Sequence, residues 1–143
     1  MSTQPLVIVG DVMLDIDLEG SATRLSPEAP VPVVDTEWVW HRPGGAGLAA
    51  LLAARHEDNV VLVTGICDDA SGRRLRELLG NNGVRVMDMQ MTGCTVTKTR
   101  VRARGQSVLR IDHGDGSPVA GPLPEPVASG KEPFLIIGAI AGG

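Results

Sequence analysis

Residues 60–87, VVLVTGICDDASGRRLRELLGNNGVRVM, contain the pattern that decides the fold. The first four residues are β-branched or aliphatic, as in a buried strand. Asp68-Asp69 then provides a helix cap, and three leucines recur at helical spacing, at positions 75, 78 and 79. GNNG at 80–83 ends this predicted helix, and a second apolar run follows it. Strand, helix and strand in this order predict a right-handed crossover in a parallel sheet.

Continuous apolar runs of the same kind lie at Leu6 to Val9, Val84 to Met87 and Phe134 to Ile137. Runs of this length favour strands that are covered on both faces. Another helix is predicted from about Gly45 to His56, and because it is apolar nearly all round we expect it to be buried. The chain ends soon after the last apolar run, before the helix that should follow a parallel strand. We therefore expect residues 1–143 to form a single incomplete α/β domain.

Three other segments, at about 11–20, 31–41 and 95–112, alternate between polar and apolar residues with period two. In the first, the odd positions are acidic except for Met13, and the even positions from 12 to 18 are apolar. We expect Asp11, Asp17 and Glu19 to form a solvent face that contributes only solubility. In the third, Lys and Arg occupy the even positions from 98 to 104, and a turn near Gly105 predicts a hairpin. Such half-exposed strands do not suit a doubly covered parallel sheet. We expect them to form a second, smaller sheet with one apolar face, while residues 113–133, with nine Gly or Pro among 21, form a linker.

Composition excludes several classes of function. A net charge of −4 and a pI of about 5.3 argue against a nucleic-acid partner, which needs an excess of Lys and Arg. The two cysteines and three histidines have no zinc-ligand spacing, and no metal site is predicted. No apolar run reaches the roughly 18 residues of a membrane span, and the N-terminus lacks a signal-peptide pattern. We expect a cytoplasmic protein without a membrane partner.

Several stretches together resemble one family: VIVGDVMLD (7–15), TRLSPEAPVPVV (23–34), RPGGAG (42–47) and TKTRVRARGQSVLRID (97–112). In order and spacing they are similar to the N-terminal half of the ribokinase-like (PfkB) carbohydrate kinases. Within that family they most resemble the heptose-7-phosphate kinase domain of the bifunctional heptose kinase/adenylyltransferases. The resemblance implies a ribokinase-like three-layer α/β fold with a small β-sheet lid. It also implies ATP-dependent phosphorylation of a sugar phosphate, and a homodimer formed through the lid strands.

The resemblance also implies roles for individual residues. Asp15, at the end of the G-D-x-x-x-D stretch, would bind sugar hydroxyls, since a carboxylate accepts several hydrogen bonds, unless it is only a solvated strand residue. Gly44 and Gly45 would let the backbone approach the sugar, although the pair could equally be a steric corner. Lys98 and Arg100 would attract the substrate phosphate, unless their strand face is only a solvated surface. We predict no catalytic residue in this chain.

Two departures from the family pattern shape the functional hypotheses. Leu48 stands where the family has an asparagine that reaches the sugar, and leucine cannot make that hydrogen bond. The family's G-A-G-D catalytic turn and its ATP pocket lie in a C-terminal half that these residues do not contain. We therefore expect neither the ATP nor the Mg²⁺ site to be complete, and the chain to be inactive alone. The alternative is a non-catalytic dimeric module that binds a sugar phosphate or a partner. A dinucleotide-binding module is disfavoured, because no G-x-G-x-x-G follows the first strand.

Overall fold

The computed structural model describes residues 4–114 and 121–125, together with the backbone of residues 134–136. These residues form two four-stranded sheets and two helices. In chain order the elements are β1 Leu6–Val9, β2 Val12–Leu25, β3 Pro32–Gly45, α1 Ala46–Ala53, β4 Val60–Thr64, α2 Ala70–Asn81, β5 Val84–Asp88, β6 Thr97–Ala103, β7 Gln106–His113 and β8 Phe134–Ile136.

The first sheet is parallel throughout, with the strand order β5-β4-β1-β8. All four of its strands lie at the apolar runs that the sequence analysis identified. Central strand β4 is buried along its whole length, as expected of a strand with neighbours on both sides and cover on both faces. The prediction of a parallel α/β sheet is therefore confirmed.

Both predicted helices are present and pack on this sheet. Helix α1 is shorter than predicted, ending at Ala53. Helix α2 places Leu75 and Leu79 fully inside the core. Around them lies one continuous apolar cluster, which also contains Ile8, Val12, Leu14, Ala46, Ala50, Val60, Leu62, Ile66 and Val84. Because Leu14 belongs to this cluster, the core anchors the start of β2.

The second sheet has the order β3-β2-β6-β7 and is mixed: β2 pairs with β6 in parallel, and the other two pairs are antiparallel. It is the predicted second sheet, and β6 and β7 form the predicted hairpin around Arg104 and Gly105. The prediction that it is the smaller one is wrong for the described residues, because both sheets have four strands and those of the second sheet are longer. Strand β3 runs four residues beyond its predicted end and leads directly into α1 at Gly45. The second sheet is thus joined to the core without a loop. The predicted linker at 113–133 lies largely outside the described residues.

Asp69 caps helix α2 and also ties it to the segment before β6. Its carboxylate accepts hydrogen bonds of 2.7 Å from the backbone N–H of Gly72 and 2.7 Å from that of Thr95. Burial opposes ionisation of this carboxyl, but the two backbone N–H groups outweigh it and lower the pKa of Asp69 below its usual range. The ionised cap therefore stabilises the fold.

We expect Asp69→Ala to lower the free energy of unfolding by about 1–2 kcal/mol at pH 7. A carboxyl whose pKa is lower in the folded state stabilises above its unfolded pKa, and that stabilisation is lost as the pH falls through the folded value. The difference in free energy of unfolding between parent and variant should therefore decrease below about pH 4. Urea unfolding between pH 7 and pH 2.5 measures it. Asp68→Ala is the matched control, since the Asp68 side chain is 94% exposed, and an equal loss there would contradict the capping role.

Candidate functional site

The second sheet has two chemically different faces, because residues opposite one another on paired strands share a face. One face is aliphatic: Val39, Leu18, Val101 and Leu109 form one row across all four strands, with Ile111 beside it. The other, here called the charged face, carries Arg42, Trp40 and Trp38 on β3, Asp15, Asp17 and Glu19 on β2, Lys98, Arg100 and Arg102 on β6, and Arg110 and Asp112 on β7. The charged face thus carries three of the predicted site residues, Asp15, Lys98 and Arg100.

Asp15 lies on inner strand β2, at the end of the charged face nearest α1, and is 9% exposed. Arg100 Nη1 donates a 2.9 Å hydrogen bond to its Oδ1, and Arg42 Nε lies 3.9 Å from its Oδ2. The alternative of a solvated strand carboxylate is therefore wrong. Two guanidinium groups hold a largely buried carboxylate in one orientation, and its remaining lone pairs are free to accept further hydrogen bonds.

Asp17 and Glu19 are not the free surface carboxylates that the alternation indicated. Arg42 Nη1 lies 2.9 Å from Asp17 Oδ2, and the Glu19 carboxylate accepts a 3.0 Å bond from the backbone N–H of Gly105. Arg102 also lies near Glu19, at 3.9 Å. The predicted solvent face is therefore wrong for these two acids, because the neighbouring strands β3 and β6 supply a cation close to each. Arg42, which the sequence analysis did not single out, joins Asp15 and Asp17, and only the strand register reveals it.

The glycine pair forms a tight corner beside Asp15. Gly44 is buried, and a Cβ there would lie 2.7 Å from Asp15 Oδ2 and 2.8 Å from Met13 Cγ. Gly45 has φ +61°, and its Cβ would lie 2.6 Å from the Asp11 carbonyl oxygen. That same carbonyl accepts the Ala46 N–H at 2.9 Å, at the first residue of α1. The steric role of both glycines therefore follows from the geometry.

The two predicted phosphate ligands lie on β6 beside Asp15. Lys98 is opposite Asp15 on one side and Asp112 on the other, whereas the Arg100 guanidinium is bonded to Asp15. Asp112 is held by Arg110 through bonds of 2.8 and 2.6 Å, and this hydrogen-bonded partner lowers the pKa of Asp112. The structure thus brings Asp15, Gly44, Gly45, Lys98 and Arg100 together at one end of the charged face.

Trp38 and Trp40 lie on this face, opposite Glu19 and Asp17. Their rings are stacked, with centroids 6.3 Å apart and planes 20° from parallel, and their residues are 60% and 52% exposed. These two side chains are therefore not part of the core of the second sheet. Their spacing of two residues places them on one face of a strand, but only the register shows that this face is the charged one.

A cleft with a volume of about 820 Å³ lies elsewhere, where residues 89–92 meet Gly121 and Pro122. Arg76 and Asp88 in its wall bind each other, and Asp88 also accepts the N–H groups of Ile66 and Gln90. This ion pair holds the loops after β4 and β5 in place. None of the five predicted site residues lines this cleft.

The described part of the chain contains neither a cluster of metal-ligating side chains nor a membrane-spanning helix. There, no three His, Cys, Asp or Glu side chains converge as metal ligands would. Neither α1 nor α2 has the length and hydropathy needed to cross a bilayer.

Comparisons with known protein sequences show the family to which this chain is similar. Residues 3–118 match the profile described as pfkB family carbohydrate kinase. The protein named Bifunctional protein HldE from Streptomyces coelicolor is 49% identical over 112 residues, which cover 78% of this chain and 24% of that protein. HldE from Alkalilimnicola ehrlichii is 42% identical over 118 residues, covering 80% and 24% respectively. The chain thus spans about a quarter of the length of these curated relatives.

Solved structures show the same fold. A carbohydrate kinase from Agrobacterium tumefaciens superposes with a TM-score of 0.63 at 18% identity, covering 78% of this chain and 36% of that one. A ribokinase from Arabidopsis thaliana, solved with ribose and ATP, gives 0.54 at 20% identity, covering 80% and 36%. A ribokinase from Cryptococcus neoformans, solved with ADP, gives 0.53 at 22% identity, covering 79% and 35%. The ribokinase-like fold class is thereby confirmed.

Proposed function

Since this chain belongs to the pfkB family of carbohydrate kinases, we propose that it is the sugar-binding portion of an ATP-dependent sugar kinase whose substrate is a heptose 7-phosphate. The observation that carries the proposal is the largely buried Asp15 carboxylate, held by Arg100 beside the Gly44 corner. The heptose is favoured by the 49% identity to an HldE protein and by the SPEAPVPVV stretch.

In this proposal Asp15 orients the sugar. Its carboxylate has about four acceptor positions, and the arginines leave room for hydroxyl donors. The Gly44-Gly45 backbone would lie against the ring, where a side chain would exclude it. Lys98 is the better of the two phosphate ligands, because no described carboxylate forms an ion pair with it, while the charge of Arg100 is already paired. Leu48, 40% exposed on α1, would offer the sugar only an apolar contact.

Phosphoryl transfer needs a positioned base and an anion-stabilising turn. The resemblance assigns both, with ATP and Mg²⁺, to a G-A-G-D segment that does not occur in these 143 residues. We therefore assign no transfer step to this chain, and propose that alone it binds the sugar phosphate without phosphorylating it.

The test compares binding with turnover. We expect calorimetry to detect saturable binding of heptose 7-phosphate to the purified chain, while a coupled assay detects no sugar-dependent release of ADP. Turnover above the background of a denatured sample would contradict the proposal that the chain alone does not phosphorylate the sugar. Absence of binding would contradict the sugar-binding role itself.

A second candidate is a non-catalytic dimeric module, and the aliphatic face favours its dimeric part. Val39, Leu109 and Ile111 on that face are 53%, 49% and 51% exposed, so that both edge strands of the second sheet, β3 and β7, present apolar side chains to solvent. We propose that a second copy of the chain covers this face, giving a homodimer through the lid strands.

Leu109→Asp places a charge at the β7 end of the aliphatic row and should shift the chain to monomer. Sedimentation velocity across a range of protein concentrations measures the change, with Arg104→Asp as a control for the added charge away from the row. A parent that sediments as a monomer at every concentration would refute the dimer.

A further inference from the structure

The stacked pair Trp38–Trp40 has no role in the proposal above. Two exposed indoles side by side on one strand place a large apolar area in water, which is costly unless something covers it in the functional state. Their neighbours are polar: Asp17 and Glu19 lie opposite them on β2, and Arg42 is the next residue of β3 on the same face. The surface is therefore amphipathic, with aromatic rings bordered by fixed carboxylates and a guanidinium.

This surface is continuous with the Asp15 corner. Along β3, Gly44, Arg42, Trp40 and Trp38 occupy successive positions on the charged face, each about 7 Å from the last. Arg42 contacts the carboxylates of both Asp15 and Asp17, so the same ion-pair network fixes the corner and the base of Trp40. A ligand held at Asp15 and lying along the strand therefore meets Trp40 first.

We infer that Trp40 is a sugar-stacking residue: the C–H face of the sugar held at Asp15 packs on its indole, and Trp38 supports that indole from behind. A sugar matches this surface because one side of its ring carries C–H groups while its edge carries hydroxyls for Asp15 and Arg42. This inference rests on the proposed sugar-binding function and deepens it, since it gives the lid strand β3 a share in substrate selection.

A second copy of the chain is the competing occupant, but the chemistry favours the sugar. The opposite face of the same sheet offers an unbroken aliphatic row, which is better suited to packing against another protein surface. The tryptophans are instead bordered by charged groups already engaged with one another, and a sugar can hydrogen bond to these without burying them in a protein interface.

The composition of the chain makes the test direct, because Trp38 and Trp40 are its two tryptophans and it has no tyrosine. In Trp38→Phe, all indole emission comes from Trp40. We expect heptose 7-phosphate to change that emission saturably, with the same midpoint that calorimetry gives, and inorganic phosphate to leave it unchanged. Trp40→Ala should weaken binding about tenfold, and Trp40→Phe, which keeps an aromatic face, should restore most of it.

Leu123→Ser, at an exposed apolar residue outside both sheets, is the control and should leave both the affinity and the emission unchanged. If the parent chain binds the sugar phosphate but Trp40 emission does not respond and Trp40→Ala binds equally well, the stacking inference fails and the proposed function stands. If the parent does not bind at all, both fail. A Trp40 emission maximum that shifts with protein concentration and not with sugar would indicate that a second copy covers the tryptophans. That result would overturn the inference.

Discussion

Replacing Asp15 with alanine is expected to weaken the binding of heptose 7-phosphate by roughly a hundredfold or more. In the proposed complex the carboxylate accepts two sugar hydroxyls, and hydrogen bonds to a charged acceptor contribute about 1.5–3 kcal/mol each. The substitution also leaves Arg100 without its 2.9 Å partner, so the neighbouring cation loses its fixed position. Calorimetric titration of parent and variant, with circular dichroism to confirm folding, measures the effect.

Asp17→Ala is the matched control for this experiment. Asp17 lies on the same face of the same strand and is also paired with Arg42, but it is one step farther from the glycine corner. We expect its loss to weaken binding by less than about fivefold. Equal losses in the two variants would mean that the ion-pair network as a whole, and not the Asp15 carboxylate, determines affinity.

The largest expected effect on stability follows from Gly45→Val. This position has φ +61° and ψ −134°, a conformation that β-branched residues avoid, and its Cβ would lie 2.6 Å from a backbone carbonyl that cannot move aside like a side chain. That carbonyl, of Asp11, also bonds the first N–H of α1. We expect the free energy of unfolding to fall by about 3 kcal/mol, a large share of the margin of an ordinary domain.

Gly80→Ala is the control for a general effect of removing glycine. Gly80 lies inside α2 and has no atom within 4 Å of the Cβ that alanine would add. Because alanine favours the helix, this variant should be up to about 1 kcal/mol more stable than the parent. Urea unfolding of the parent, Gly45→Val and Gly80→Ala measures these differences in free energy of unfolding. A Gly45→Val variant as stable as the parent would refute the corner geometry.

The fold was largely predictable because its signals are local. Four apolar runs became the four parallel strands, and the Asp69 cap with its leucine repeat became α2. Period-two alternation likewise predicted a second sheet with different faces. The ends of the strands were harder to predict. Strand β3 continues to Gly45 because it pairs with β2 as far as Val12, and this pairing joins residues that are distant in the sequence.

The candidate site was predictable only in part, because the register between two strands depends on both strands and cannot be predicted from the sequence of either one alone. The sequence singled out Asp15 and Arg100 separately, but not the bond between side chains 85 positions apart. For the same reason Arg42 was missed, and Asp17 and Glu19 were wrongly taken as free surface acids. The odd-position acids and even-position cations were visible, and opposite charges alternating on two segments are the signal that could have paired them.

The central claim is that the glycine corner beside Asp15 binds a sugar phosphate. The most direct measurement is a titration of the ¹⁵N-labelled chain with heptose 7-phosphate, followed through its backbone amide resonances. We predict saturable shifts centred on the amides of Gly44 and Gly45, with smaller ones at Asp15 and Lys98, and the same shifts lost in Asp15→Ala. Saturable shifts confined to residues 89–92, or no shifts at any sugar concentration, would contradict the claim.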